Sequence, residues 1–306
     1  MLIKNARIDG QAVDLRIDHA VQAVARHLKV APKETVLDAR GGELLPGLHD
    51  HHIHLFAAAA AHDSVDCNVG SGTLSQCRAL LEARLKRATG NDWIRGVDYQ
   101  EQQVGELDRW ILDELCPTRP VRIQHRSGKV WVCNSLALRE LGFKDTELID
   151  GLQRSNRGML TGRIVRQDRL LAERLKHAKA SRTPNIAAYS RQLARYGIVG
   201  ITDTSASNTT DTLADFQRLS DGGELLQHFS LMGNDDLDSG YLKILLDEDR
   251  LPDLENLVVR INQARRKGRN LAFHCVTHLE LVFALAALAE AVPCDTGFDR
   301  IEHGAV

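Results

Sequence analysis

Apolar positions along this chain change their period as the sequence proceeds. Near the N-terminus they recur every second residue. Residues 1–8 run to an Asp9-Gly10 turn, and Val13-Asp14-Leu15-Arg16-Ile17 alternates cleanly. Residues 35–39 form another short strand, stopped by Gly41-Gly42, and a further strand leads through Pro46-Gly47 into a run of histidines. This is too little for a free-standing sheet, so strands from elsewhere are expected to complete it. Residues from about 66 to 185 mix both periods. Helices are expected at 74–88, 136–141 and 167–180, and strands at 93–97 and 121–124. From about 186 onward helix and strand alternate regularly. Helices near 186–196, 213–219, 254–267 and 279–291 separate strands at 197–202, 227–232, 241–246, 270–274 and 300–303. That rhythm predicts an α/β fold with a parallel sheet, either a barrel or a doubly wound sheet.

The strand entered through Pro46-Gly47 reads Leu48-His49-Asp50-His51-His52-Ile53-His54. Side chains alternate faces on a strand, so His52 and His54 point the same way. Two imidazoles side by side on a rigid strand can bind one divalent metal. Later strands end in, or contain, further residues of ligand type: His274 closes one and His303 another. Lys243 interrupts an otherwise apolar strand. Leu242, Ile244 and Leu246 are expected to face covering helices, which turns Lys243 inward, where a charged amine needs a partner. Reaction with carbon dioxide would give a carbamate, an anionic oxygen ligand able to bridge two metals. Parallel strands present their C-terminal ends on one face, where barrel enzymes place their chemistry. Counting from the strand of His52, Lys243 falls on the fourth strand, His274 on the fifth and His303 on the sixth.

Composition narrows the partners. Among 306 residues, 39 Lys and Arg against 41 Asp and Glu give a formal charge of -2, no reason to expect nucleic acid or an anionic membrane as partner. No apolar run approaches the length of a membrane span, and no basic stretch followed by an apolar core opens the chain. Cys67, Cys77, Cys116, Cys133, Cys275 and Cys294 are scattered with no CxxC, as expected of reduced thiols in a cytoplasm. A small-molecule substrate is the expected partner, with room for a homo-oligomer.

The run from Asp38-Ala39-Arg40-Gly41-Gly42 through Pro46-Gly47 to His52-Ile53-His54-Leu55 resembles the entry motif of the amidohydrolase superfamily. Further segments resemble one branch, amidohydrolase family 3, which includes N-substituted formamide deformylases. They are Leu107-Asp108, Pro120 to Gly128, Asn134 to Leu138, Thr161-Gly162 and Arg300-Ile301-Glu302-His303. The resemblance implies a (β/α)8 TIM-like barrel over residues 48–306, with an insertion at about 66–185 over the active-site mouth. It implies a small β-sandwich of which residues 1–47 are part. It implies one or two divalent metals, zinc by donor type, held by His52, His54, a carboxylated Lys243, His274 and His303. His125 and Ser127, in the insertion, become candidates for substrate contact, with a structural turn as the competing reading.

The chain departs from the family pattern in three places. The fifth-strand histidine is followed by Cys275-Val276-Thr277-His278 where the family has Gly-Asp, and His278 is expected at the surface. Lys129 stands where a histidine often follows the equivalent of Gly128. The sequence stops at Val306, before strands seven and eight and the strand-eight aspartate that serves as general base. A native chain longer by about a hundred residues or more is therefore expected. The function implied is hydrolysis of a carbon–nitrogen bond in an amide, formamide or cyclic amide by metal-bound hydroxide. The alternatives are a non-catalytic metal-binding remnant and a mononuclear deaminase with Lys243 unmodified. A barrel whose histidines are structural is the bland reading. Asp50 is expected to steady the loop or a ligand.

Overall fold

The computed structural model describes residues 1–89, 93–178, 183–293 and 297–304. Cys294, the expected helix end at Ala180 and the terminal Val306 lie outside the described residues. The N-terminal alternation becomes four strands: β1 (Leu2–Ile8), β2 (Gln11–Ile17), β3 (Val21–Ala25) and β4 (Val36–Asp38). Their order is β3-β2-β1-β4, with β4 parallel to β1 and the other pairs antiparallel. Strand β3 was not expected. With it the segment pairs internally around a small core of Ile3, Ala6 and Leu15.

The histidine strand is β5 (Leu48–Ile53). After it the mixed region builds a sheet of its own rather than a loop: β6 (Val65–Asp66), β7 (Ile94–Tyr99), β8 (Val121–His125), β9 (Val130–Cys133), β10 (Leu152–Arg154) and β11 (Leu160–Val165). The order is β10-β11-β9-β8-β7-β6. Helices cover both faces, which is why alternate residues of β9 are all apolar. Val132 packs with Leu81, Leu85 and Leu112, from helices Leu74–Arg87 and Arg109–Leu115. Trp131 and Cys133 pack with Leu138, Leu171 and Leu175, from helices Ser135–Glu140 and Asp168–His177.

The regular C-terminal rhythm gives β12 (Ile198–Asp203), β13 (His228–Leu231), β14 (Leu242–Leu245), β15 (Leu271–Cys275) and β16 (Arg300–His303). These join β5 in two parallel three-stranded sheets, β13-β12-β5 and β14-β15-β16. The sheets meet at a parallel bridge between Gly233 and Leu242, reinforced where Lys243 N donates to Gly233 O at 2.8 Å. Six parallel strands therefore follow one another in chain order as an open arc. The expectation was a (β/α)8 TIM-like barrel whose strands seven and eight lie beyond this sequence; the α/β fold is seen, and none of the sheets is closed among the described residues. The convex side is apolar. Ile201, Leu231 and Ile53 pack on Ile186, Leu193 and Phe216 of helices Ile186–Arg195 and Thr210–Asp221. Leu242, Ile244 and Leu246 pack with Leu257, Ile261 and Ala284 of helices Leu254–Arg266 and His278–Glu290, as the phase of Lys243 requires.

Candidate metal centre

Strand β5 does not run straight. Asp50 pairs with Ile201 and Ile53 with Asp203, so three residues of β5 span two of β12. Such a bulge re-aims side chains. His49 and His51 stack with ring centroids 4.5 Å apart, and His49 Nε2 lies 2.9 Å from Thr202 Oγ1. Position 200 must be glycine for this, because a Cβ there would stand 2.4 Å from His49 Nδ1. Asp50 Oδ1 accepts from His52 N at 3.0 Å, the loop-steadying role expected of it. His52 and His54 then share a side, their rings edge to face with centroids 5.7 Å apart.

The other ligand candidates come from the second three-stranded sheet. Register sets Leu245 beside His274, His274 beside Glu302, and Cys275 beside His303. Glu302 and His303 are sequence neighbours and would normally face opposite ways. His303 has φ of 69°, in the left-handed region that non-glycine residues rarely adopt. From there its ring lies with its centroid 4.5 Å from that of His274 and 4.9 Å from that of His52. Lys243 is 3% exposed, and its Nζ has no hydrogen-bond partner among the described residues. Burial pushes its amine down from the usual lysine range, Arg300 adds to that, and Glu302 pulls the other way. His274 is also lowered, by burial first and then by His303 and Lys243. Desolvation lowers His54, with Asp203 opposing.

Three residues that sequence reasoning did not assign complete the surroundings. Glu302 is buried and hydrogen-bonds His52 Nδ1 through Oε2, while Arg300 Nη2 lies 2.8 Å from its Oε1 as an ion pair without hydrogen-bond geometry. A carboxylate accepts, so His52 carries its proton on Nδ1 and leaves the Nε2 lone pair free for an ion. Ser205 Oγ lies 2.8 Å from His54 Nδ1. Asp203, 1% exposed, accepts from Leu55 N at 2.7 Å and Ser205 N at 3.0 Å, fixing the chain on both sides of that contact. The alternation of Arg300-Ile301-Glu302 puts Glu302 on the face of Arg300, a signal that could have found it; no spacing signal points to Asp203 or Ser205.

The donor set fits a divalent ion in type. Two imidazoles bonded to one tetrahedral ion at about 2.0–2.1 Å hold their centroids about 5 Å apart, and the three pairwise separations here straddle that value. The nitrogens do not converge: among the described residues, no group of three His, Cys, Asp or Glu side chains is arranged to hold an ion. His278 is exposed at the start of its helix, as expected. His125 and Ser127 lie apart from this cluster in their contacts. His125 Nδ1 is 2.8 Å from Ser127 Oγ, its Nε2 is 2.6 Å from Glu101 Oε2, and its ring packs edge-on against Tyr99. No helix among the described residues is long and apolar enough to cross a membrane.

Comparison with known proteins adds a family to this geometry. A model described as "Amidohydrolase family" matches residues 35–306. An N-substituted formamide deformylase of Arthrobacter pascens is 33% identical over 117 residues, which cover 37% of this chain and 22% of that protein. Two solved structures, described as uncharacterized metal-dependent hydrolases of Pyrococcus horikoshii and Pyrococcus furiosus, superpose with a TM-score of 0.62 at 18% identity. Each superposition covers 94% of this chain and 67% or 70% of the other. The match thus spans about a fifth of the curated relative's length and about two thirds of each solved chain.

Proposed function

The chain belongs to the amidohydrolase family, and on that premise we propose that it serves a metal-dependent hydrolase of carbon–nitrogen bonds other than peptide bonds. The substrate is a small amide, formamide or cyclic amide. The carrying observation is the cluster itself: four histidine rings from β5, the residue after it, β15 and β16, with the buried amine of Lys243, which has no hydrogen-bond partner among the described residues, acting electrostatically on His54 and His274. His52, His54, His274 and His303 would hold one or two ions, zinc by donor type. When bound, such an ion polarises a carbonyl and acidifies water near neutral pH. Around it, this chain's own residues fix geometry. Glu302 orients His52, Ser205 meets His54, and Asp203 anchors the turn after β5. Lys243, buried and uncompensated, is suited to add carbon dioxide through its amine nitrogen and lose a proton, which yields a carbamate oxygen ligand. We read the six-strand arc as part of a (β/α)8 barrel. The reduced, buried thiols Cys67, Cys77, Cys116, Cys133 and Cys275 fit a cytoplasmic setting.

The formamide deformylase likeness makes N-substituted formamides the first substrates to assay. Elemental analysis of the purified protein should find zinc or a similar ion near stoichiometry, falling in H52A and H274A. Peptide mass spectrometry should find one carbon dioxide added at Lys243. Undiminished metal in both histidine variants removes these residues from the site. Bound metal with no turnover of any amide class removes the hydrolase reading.

A further inference from the structure

A second cluster lies in the sheet that follows β5 and is built from other residues. Arg95 on β7 and Arg122 on β8 are register partners on neighbouring parallel strands, so their side chains leave the sheet on the same face. Both guanidinium groups lie over the indole of Trp131, at 5.4 and 5.2 Å from its ring. Trp131 is itself 6% exposed and locked, its Nε1 donating to Asp168 Oδ1 at 2.8 Å. Arg95 Nη1 donates to Ala60 O at 2.8 Å and to Ser64 Oγ at 2.6 Å, which pins it against the helix Leu55–His62. Arg122 makes no hydrogen bond to the protein, and neither guanidinium pairs with a carboxylate, among the described residues.

Like charges set side by side on neighbouring strands repel, and partial burial sharpens that cost. The tension is visible in Arg95, whose guanidinium is pushed down to about 10 by desolvation and then by Arg122. A single indole attracts both cations, yet it neutralises neither. The group that would satisfy the arrangement is an anion with at least two oxygens, because planar guanidinium forks match carboxylate and phosphate. We propose that Arg95, Arg122 and Trp131 form a binding site for one small oxyanion, a carboxylate or phosphate group. Arg122 supplies free donors, Arg95 a pre-oriented charge, and Trp131 the rigid platform that keeps both in place.

The test titrates the purified protein with inorganic phosphate and, separately, with acetate, against sodium chloride at matched ionic strength. Melting temperature and tryptophan fluorescence are followed, with W131F assigning the optical signal among Trp93, Trp110 and Trp131. At least one oxyanion should raise the melting temperature saturably and perturb Trp131 where chloride does neither, and the arm that responds identifies the class. R122Q should weaken the response about tenfold or more, as expected for lost charge-assisted bonds. R122K, which keeps the charge and loses the fork, should fall between. No saturable response to either anion, or an unchanged response in both Arg122 variants, overturns the proposal. None of these readouts uses metal or turnover, so their failure leaves the hydrolase reading standing.

Discussion

Cys133 sits on β9 with no solvent exposure, and desolvation pushes its thiol up to about 12. Cys67 is raised to about 12 by burial and the adjacent Asp66, and Cys275 to about 11 by burial and Glu280. The thiolate is the nucleophile, so all three are inert at neutral pH in the folded chain. Iodoacetamide at pH 8 should leave them unmodified until urea unfolds the protein, with peptide mass spectrometry as the measure; fast native alkylation of Cys133 would contradict its placement. Asp203 is a buried carboxylate that accepts from three donors. D203A would leave Leu55 N, Ser205 N and Asn208 Nδ2 without their acceptor. A loss of about 2–4 kcal/mol in urea unfolding is expected from donors left unsatisfied. His52, His54, Lys243, His274 and His303 could be singled out in the sequence because residues of ligand type on strands carry their own signal. Glu302, Asp203 and Ser205 were not, since their roles depend on which strands become neighbours, and that is settled by register rather than by local pattern.

At the scale of elements, the long amphipathic helices and the β12–β16 strands stood where the periodicity placed them. Strand β9 is buried on both sides, so it lacks the period-two contrast that marks a strand, and β10 has only three residues. Within residues 1–47, which were expected to need outside strands, β3 supplies a partner for β2. That sheet is tied to the following segment by an ion pair. Arg16 Nε and Nη2 donate to Glu34 at 2.6 and 2.9 Å, and Glu34 also accepts from Ala31 N at 2.9 Å. The Arg16 bond, then the Ala31 bond, hold the Glu34 carboxyl at about 2 rather than 4.5. A depressed folded value means the contribution is complete above the unfolded one. It should decline as pH falls below 4.5 and be gone by about 2. Melting curves of the parent and E34Q should differ by a constant amount above pH 5 and merge near pH 2. A gap that persists at pH 2 would show that charge on Glu34 is not what stabilises the pair.

At the largest scale, the six parallel strands form an arc whose two end strands approach through side chains. His52 and His51 belong to β5, the first strand, while Glu302, His303 and Arg300 belong to β16, the sixth. They meet through the His52–Glu302 bond, the His52 and His303 rings, and Arg300 Nη2 donating to His51 O at 3.2 Å. An ion held by residues from both ends would add a cross-link that the folded state has and the unfolded chain lacks. Its effect on stability follows from mass action: free zinc at a hundred times its dissociation constant stabilises by about 2.7 kcal/mol. At about 1.5–2 °C per kcal/mol for a chain of 306 residues, that is a rise of roughly 4–5 °C in melting temperature. A chelator should lower the melting temperature of protein purified with its metal, and zinc should restore it. H303A should fold without that response, because its ring carries the contact between the end strands but lies outside the apolar core. A melting temperature indifferent to both chelator and zinc would mean that the histidines meet for reasons other than a metal.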